Sequence, residues 1–231
     1  DRIRIARLYG AEVTPIDINE FVEDADQLQG VERAASFVAI RMKQAYDLQQ
    51  NDPSIWWANQ LCNVDNTKAH REFTGREILD QMDGKIDAWV ASVGTGGTLL
   101  GVAQTLKKKN PDLKVTGVVP TDDPRIEWVR SRAVHKALKK FGGPELRFLI
   151  EDVLEDNVMD NEITVENADA KNMADRLCRE EGLYCGMSSG ANVCAAIEMA
   201  QSMDKGSRIV TVIVDRRDRY FAEYPNEHYV V

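Results

Sequence analysis

Ile86-Asp87-Ala88-Trp89-Val90-Ala91-Ser92-Val93 runs straight into Gly94-Thr95-Gly96-Gly97-Thr98 and on into Leu99 to Lys109. The apolar run reads as a fully buried strand over 86–93. The glycines read as a tight turn, and the rest as a helix to Lys109. Its last turn holds Lys107, Lys108 and Lys109, whose charge complements the negative end of a helix dipole. A buried strand, a glycine-rich turn and a helix in succession are the unit from which parallel α/β sheets are built.

The same alternation continues in both directions. Strands are predicted over Ala11–Ile16, Ile55–Leu61, Lys114–Val119, Leu183–Gly186 and Arg208–Val214. Helices are predicted over 2–9, 30–49, 68–82, about 124–140, 167–181 and Gly190–Met203, with Asp52-Pro53 and Asn110-Pro111-Asp112 as breaks. Helices of ten or more residues between strands imply an open, mostly parallel sheet with helices on both faces and right-handed crossovers. Residues 141–162, with Gly142-Gly143-Pro144 and an acidic cluster, read as an irregular surface excursion. No internal repeat is present.

Composition narrows the function. With 231 residues and 43% hydrophobic content the chain can bury a substantial core. Its 38 acidic against 29 basic side chains give a net charge of −9, which argues against a general nucleic-acid or anionic-membrane binder. No apolar run approaches the ~18 residues of a membrane span. Cys62, Cys178, Cys185 and Cys194 form no Cys-x-x-Cys pair and read as free thiols of a reducing, cytoplasmic compartment. His70, His135 and His228 are not at ligand spacing, so no metal site is expected. The chain opens at Asp1-Arg2-Ile3-Arg4, without a signal-peptide pattern and inside what reads as a helix, so it reads as part of a longer protein.

Three places could carry chemistry. In Gly94–Thr98 the glycines allow an anion close to the backbone, free N–H groups at the helix start point at it, and Thr95 and Thr98 add hydroxyls. No lysine follows Gly97, so this is not a P-loop. Leu99 stands where a dinucleotide loop needs its third glycine, which leaves a lone phosphate or a plain packing turn. A second strand-to-helix junction, Gly186-Met187-Ser188-Ser189-Gly190, offers Ser188 and Ser189 as ligand contacts or as helix caps. It is not a nucleophile elbow. The third, Asn59-Gln60-Leu61 with Asn63 and Asn66, puts amides at a predicted strand end, where they could hold a small carboxylate or satisfy loop backbone.

In this order the segments resemble the cysteine synthase family of fold-type-II pyridoxal-phosphate enzymes. Tyr9-Gly10-Ala11-Glu12-Val13 looks like the family's Y-G-A-E-V/L step. Gln60-Leu61-x-Asn63-x-x-Asn66 is similar to Q-F-x-N-P-x-N, with His70, Thr74-Gly75 and Glu77-Ile78 after it. Gly94–Thr98 matches G-T-G-G-T. Glu181-Gly182-Leu183 and Gly186–Gly190 resemble E-G-L and G-I-S-S-G, and Asp215–Tyr220 resembles the D-R-G-D-R-Y of the B-type enzymes.

The resemblance implies pyridoxal 5'-phosphate as cofactor, held at its phosphate by Gly94, Thr95, Gly96, Gly97 and Thr98 and at its pyridine nitrogen by Ser188. Gln60 would hold the substrate carboxylate. It implies a β-replacement on O-acetylserine or another activated serine, with sulfide or another thiol giving cysteine. A neutral serine at the ring nitrogen suits β-chemistry better than transamination. It further implies a homodimer and two domains, a remnant of a small domain over 1–58 and a cofactor domain over 59–231. The family's Schiff-base lysine and substrate loop precede the Tyr9–Val13 step, so no catalytic residue is assigned in this chain, which is expected to be inactive alone.

Departures concentrate on the substrate side. Leu61 replaces the family's aromatic residue, Asn63–Thr67 lacks its prolines, Arg216-Arg217 replaces R-G, and 120–150 lacks the G-I-G-x-G-F stretch. Arg130 and Arg132 could meet an anionic substrate or lie on a solvated helix face. A cystathionine β-synthase-like or cysteine-lyase activity therefore stays open, as does a non-catalytic binding or regulatory protein of the same fold.

Overall fold

A computed structural model describes residues 2–22, 27–121, 125–155 and 158–223. The helices are α1 (Arg2–Leu8), α2 (Gly30–Asn51), α3 (Val64–Ala69), α4 (Gly75–Gln81), α5 (Gly97–Lys109), α6 (Arg125–Arg130), α7 (Ala133–Lys140), α8 (Leu149–Glu155), α9 (Asn167–Glu181) and α10 (Met187–Ser202). The strands are β1 (Ala88–Ser92), β2 (Lys114–Pro120), β3 (Asn161–Val165) and β4 (Ile209–Thr211). They form one parallel sheet in the order β3-β2-β1-β4. None of the helices among the described residues is long and apolar enough to cross a membrane.

The central strand β1 explains both layers. Successive side chains on a strand point to opposite faces. Trp89 and Ala91 enter an apolar cluster with Leu99, Val102 and Leu106 of α5. Ala88 and Val90 enter another with Ala191, Ala195 and Met199 of α10. A strand covered on both faces needs apolar residues at every position, which is why this run lacks polar alternation. The predicted α/β architecture is thus the observed one. Ala35, Val38, Ala39 and Met42 of α2 join the α5 side of the core.

Several local expectations fail for identifiable reasons. Residues 11–16 belong to no strand, and neither do 55–61, where Asn59 lies in the left-handed region at φ 41° and a turn begins at Gln60. The predicted strand over 183–186 reduces to one antiparallel bridge between Cys185 and Arg216. Apolar content alone does not provide a neighbouring strand edge, and among the described residues 11–16 and 55–61 have none and 183–186 only this single bridge. The helix predicted over 68–82 is interrupted by a π-helical turn at His70–Thr74. The one near 124–140 breaks at Arg132, which adopts φ 60°, and its first residue lies outside the described residues. Within the presumed excursion 141–162, Leu149, Ile150 and Val153 are buried on α8, and β3 begins at Asn161. Leu149, Ile150 and Val153 have helical spacing, a signal hidden by the surrounding acidic residues. Helix α10 begins three residues earlier than Gly190, so both serines fall in its first turn.

Candidate functional site

Strand β1 is still paired just past its end, where the Val93 amide donates to the Val118 carbonyl at 2.9 Å. The chain then turns through Gly94–Gly96 into α5. Gly96 caps the helix at φ 90°, a conformation that L side chains resist. A Cβ there would stand 2.8 Å from Val153 Cγ2 and 3.2 Å from Ile150 Cα, and one at Gly97 only 2.3 Å from Asn66 Oδ1. Packing and handedness therefore both demand glycine. The first-turn amides of α5 lie beyond the reach of its own carbonyls.

The threonine hydroxyls sharpen the picture. Thr95 Oγ1 accepts from Asn66 Nδ2 at 3.1 Å and from the Gly97 amide at 3.2 Å. Asn66 Nδ2 also donates to the Gln60 carbonyl at 2.8 Å, so its two protons are both committed. A hydroxyl has two lone pairs and one proton. With both lone pairs engaged, Thr95 can only donate to whatever enters the loop. Thr98 Oγ1 lies 3.0 Å from His70 Nε2. A group presenting acceptors alone, such as a phosphate, fits this donor set.

The second junction lies on the same edge of the sheet. Helix α10 runs back from that edge and β4 returns to it. The Gly186 amide donates to the Asp215 carbonyl at 3.0 Å, Asn192 Nδ2 to the Val212 carbonyl at 2.9 Å, and the Val214 amide to Ser189 Oγ at 2.9 Å. The start of α10 is thereby fastened to the carboxyl end of β4. Strands β1 and β4 are hydrogen-bonded neighbours, about 4.8 Å apart. Both helix starts lie at the carboxyl edge, where α/β sheets hold ligands, α5 on one face of the sheet and α10 on the other. Ser189 is fully buried and serves the backbone. Half-buried Ser188 makes no side-chain hydrogen bond among the described residues. The division of labour leaves Ser188 available to a ligand.

Gln60 is exposed, at the turn preceding α3. Asn63 caps α3 by accepting from the Asp65 amide at 3.0 Å, so it is structural. Leu61 is half-buried, and its carbonyl accepts from the Leu149 amide at 3.0 Å. Burial, with the Glu151 carboxylate adding to it, pushes the Cys62 thiol up to about 12. Buried Glu151 accepts from the Phe148 amide at 2.9 Å, and its Oε1 lies 2.9 Å from His135 Nε2. Arg130 pairs with Glu162 at 3.0 Å and Arg132 with Glu151 at 3.6 Å, so each guanidinium already has a carboxylate. Burial and a hydrogen bond to Asp215 push the Tyr220 hydroxyl up to about 12. Arg217, at the family's glycine position, is buried with its Nη2 at 2.6 Å from Asp175 Oδ1. Among the described residues, no three His, Cys, Asp or Glu side chains cluster as a metal site, and His228 lies outside them.

Asn66 and His70 are the contributors that residue-type reasoning did not assign to the loop. By residue type, Asn66 reads as an amide for a small carboxylate or for loop backbone, and His70 as a histidine not at metal-ligand spacing. Their spacing of four on consecutive helical turns was the available signal, but nothing local says that this face meets α5.

Residues 1–215 match the family model described as "Pyridoxal-phosphate dependent enzyme". Cystathionine beta-synthase from Oryctolagus cuniculus is 30% identical over 231 residues, all of this chain and 39% of that protein. Cysteine synthase from Staphylococcus aureus is 32% identical over 223 residues, 96% of this chain and 64% of that protein. The chain thus spans under two thirds of the length of these relatives. Among solved structures, a hydrogen sulfide-producing enzyme from Fusobacterium nucleatum aligns with a TM-score of 0.71 at 29% identity, covering 95% of this chain and 67% of that one. An O-acetylserine dependent cystathionine beta-synthase from Helicobacter pylori aligns with a TM-score of 0.64 at 26% identity, covering 78% and 56%.

Proposed function

We propose, from the premise that this chain belongs to the pyridoxal-phosphate dependent enzyme family, that the whole protein carries out β-replacement on an activated serine such as O-acetylserine, with sulfide as the incoming nucleophile. The chain is of fold type II and related to cysteine synthase and cystathionine beta-synthase. Its cofactor is pyridoxal phosphate. The observation that carries the proposal is the Thr95 hydroxyl, left with only a proton to offer at the start of α5.

In this reading Gly94–Thr98 hold the cofactor phosphate through first-turn amides and the two threonine hydroxyls. Ser188 hydrogen-bonds the pyridine nitrogen without bringing a negative charge to it. Gln60 orients the substrate carboxylate by its amide. When bound, the cofactor supplies an electron sink for the substrate α-carbon, and a neutral partner at the ring nitrogen keeps that sink moderate. Such a sink suffices where the β-leaving group takes the electrons away. The lysine that carries the cofactor belongs to the part of the family that aligns ahead of Tyr9. The whole protein is proposed to work as a homodimer.

A second reading, condensation with homocysteine, is favoured by the match of the entire chain to cystathionine beta-synthase. Rates of the full-length protein with O-acetylserine and sulfide, homocysteine or ammonia separate these. Fastest turnover with sulfide supports the first reading, with homocysteine the second. No turnover with any, despite bound cofactor, supports a non-catalytic protein.

A further inference from the structure

We infer that His70 is a positioning residue: by donating from Nε2 it turns the Thr98 hydroxyl into a hydrogen-bond donor toward phosphate in the Gly94–Thr98 loop. The inference rests on the phosphate reading of that loop.

His70 opens the π-helical turn His70–Thr74, and that turn packs directly on α5. The approach is close enough that a Cβ on Gly101 would stand 2.4 Å from the Thr67 carbonyl and 2.8 Å from His70 Cβ. The imidazole is bracketed by two hydroxyls, with Nδ1 at 3.1 Å from Thr74 Oγ1 and Nε2 at 3.0 Å from Thr98 Oγ1. Burial lowers its pKa from 6.5, so the ring is neutral at neutral pH and carries one N–H.

Two proton arrangements satisfy both contacts. With the proton on Nδ1, His70 donates to Thr74 and accepts from Thr98. The Thr98 proton is then consumed, and the loop meets an oxygen lone pair. With the proton on Nε2, Thr74 donates to Nδ1, Thr98 accepts from Nε2, and the Thr98 proton points elsewhere. A phosphate dianion offers acceptors only, so it is compatible with the second arrangement alone. Thr95 needs no such selection, because Asn66 and Gly97 already fill its lone pairs. Thr98 is therefore the adjustable donor of the loop, and His70 sets it.

The test uses the full-length protein freed of cofactor, with ¹⁵N-labelled histidine and inorganic phosphate as the probe. Imidazole ¹⁵N shifts report which nitrogen carries the proton, and backbone amide shifts at Thr95–Thr98 report occupancy of the loop. Phosphate is expected to drive His70 to the Nε2–H form. In Thr98→Val the loop fills without that change. His70→Leu weakens phosphate about 3- to 10-fold, the worth of one net hydrogen bond, whereas His70→Gln, which keeps a donor, restores most of it. Loop amides that shift while His70 remains Nδ1–H overturn the positioning role and leave the phosphate reading standing. If the loop amides do not respond to phosphate at all, both fall.

Discussion

Asn66 Nδ2 stands 3.1 Å from Thr95 Oγ1, joining α3 to the turn that follows β1 across 29 residues of sequence. The same nitrogen holds the Gln60 carbonyl, so one amide connects the proposed substrate-binding turn to the proposed phosphate loop. In Asn66→Ala, Thr95 regains a free lone pair and the turn at Gln60 loses a tether. Pyridoxal phosphate binding to the full-length protein, followed by visible absorbance, is expected to weaken about 3- to 10-fold, the value of a single net hydrogen bond.

Gly96→Ala places a side chain at φ 90° and within 2.8 Å of Val153. The left-handed conformation costs about 1–2 kcal/mol for an L residue before the clash is counted. Urea unfolding should show a loss of at least that size, together with weaker cofactor binding. An unchanged midpoint would mean that α8 does not press on the loop.

Trp89 is fully buried, and its indole Nε1 donates to the Leu99 carbonyl at 3.2 Å, bracing β1 against the first turns of α5. Trp89→Phe should cost about 0.5–1.5 kcal/mol, the worth of one net hydrogen bond, because the Leu99 carbonyl keeps its helical donor within α5. Trp89→Ala should cost about 3–5 kcal/mol by adding a cavity. Denaturant titration of both variants gives the order.

How much of this was legible beforehand follows from where each signal resides. The β1–loop–α5 unit is written in consecutive residues, so its strand, turn and helix could be read directly. The π-helical turn at His70, the break at Arg132 and burial of Leu149 and Ile150 arise from packing between distant segments, which local pattern does not encode. The same holds at the site. The glycines and threonines at 94–98 by themselves fit an anion nest or a plain packing turn. That Asn66 and His70 decide what those hydroxyls can offer depends on α3 and the π turn lying against α5. Residue type alone does not distinguish Ser188 from Ser189; the resemblance singles out Ser188, and in the structure burial and the Val214 amide commit Ser189.

His70 also predicts a pH effect on folding. Its folded-state pKa is lowered from 6.5 by burial, so as pH falls below 6.5 the unfolded chain takes up a proton that the native imidazole resists. The stability it contributes is complete above 6.5 and is lost as pH falls through the lowered native value. Comparing unfolding free energies of native protein and His70→Gln across pH 5–7, about the window in which histidine titrates, should show a steeper decline for the native protein. Parallel curves would contradict a buried neutral ring.

Cys62, with its thiol pushed up to about 12, should resist alkylation at pH 8, where about one molecule in ten thousand would be thiolate. Mass spectrometry after iodoacetamide treatment should find Cys62 unmodified in folded protein and modified once urea is added. Equal labelling in both would show that it is neither buried nor facing Glu151.

A crystal structure of the full-length protein with pyridoxal phosphate tests the central claim most directly. The account predicts the phosphate against the amides and hydroxyls of Thr95–Thr98 and the pyridine nitrogen within hydrogen-bond distance of Ser188 Oγ. A phosphate bound away from this turn, or a ring whose nitrogen faces a group other than Ser188, would contradict it.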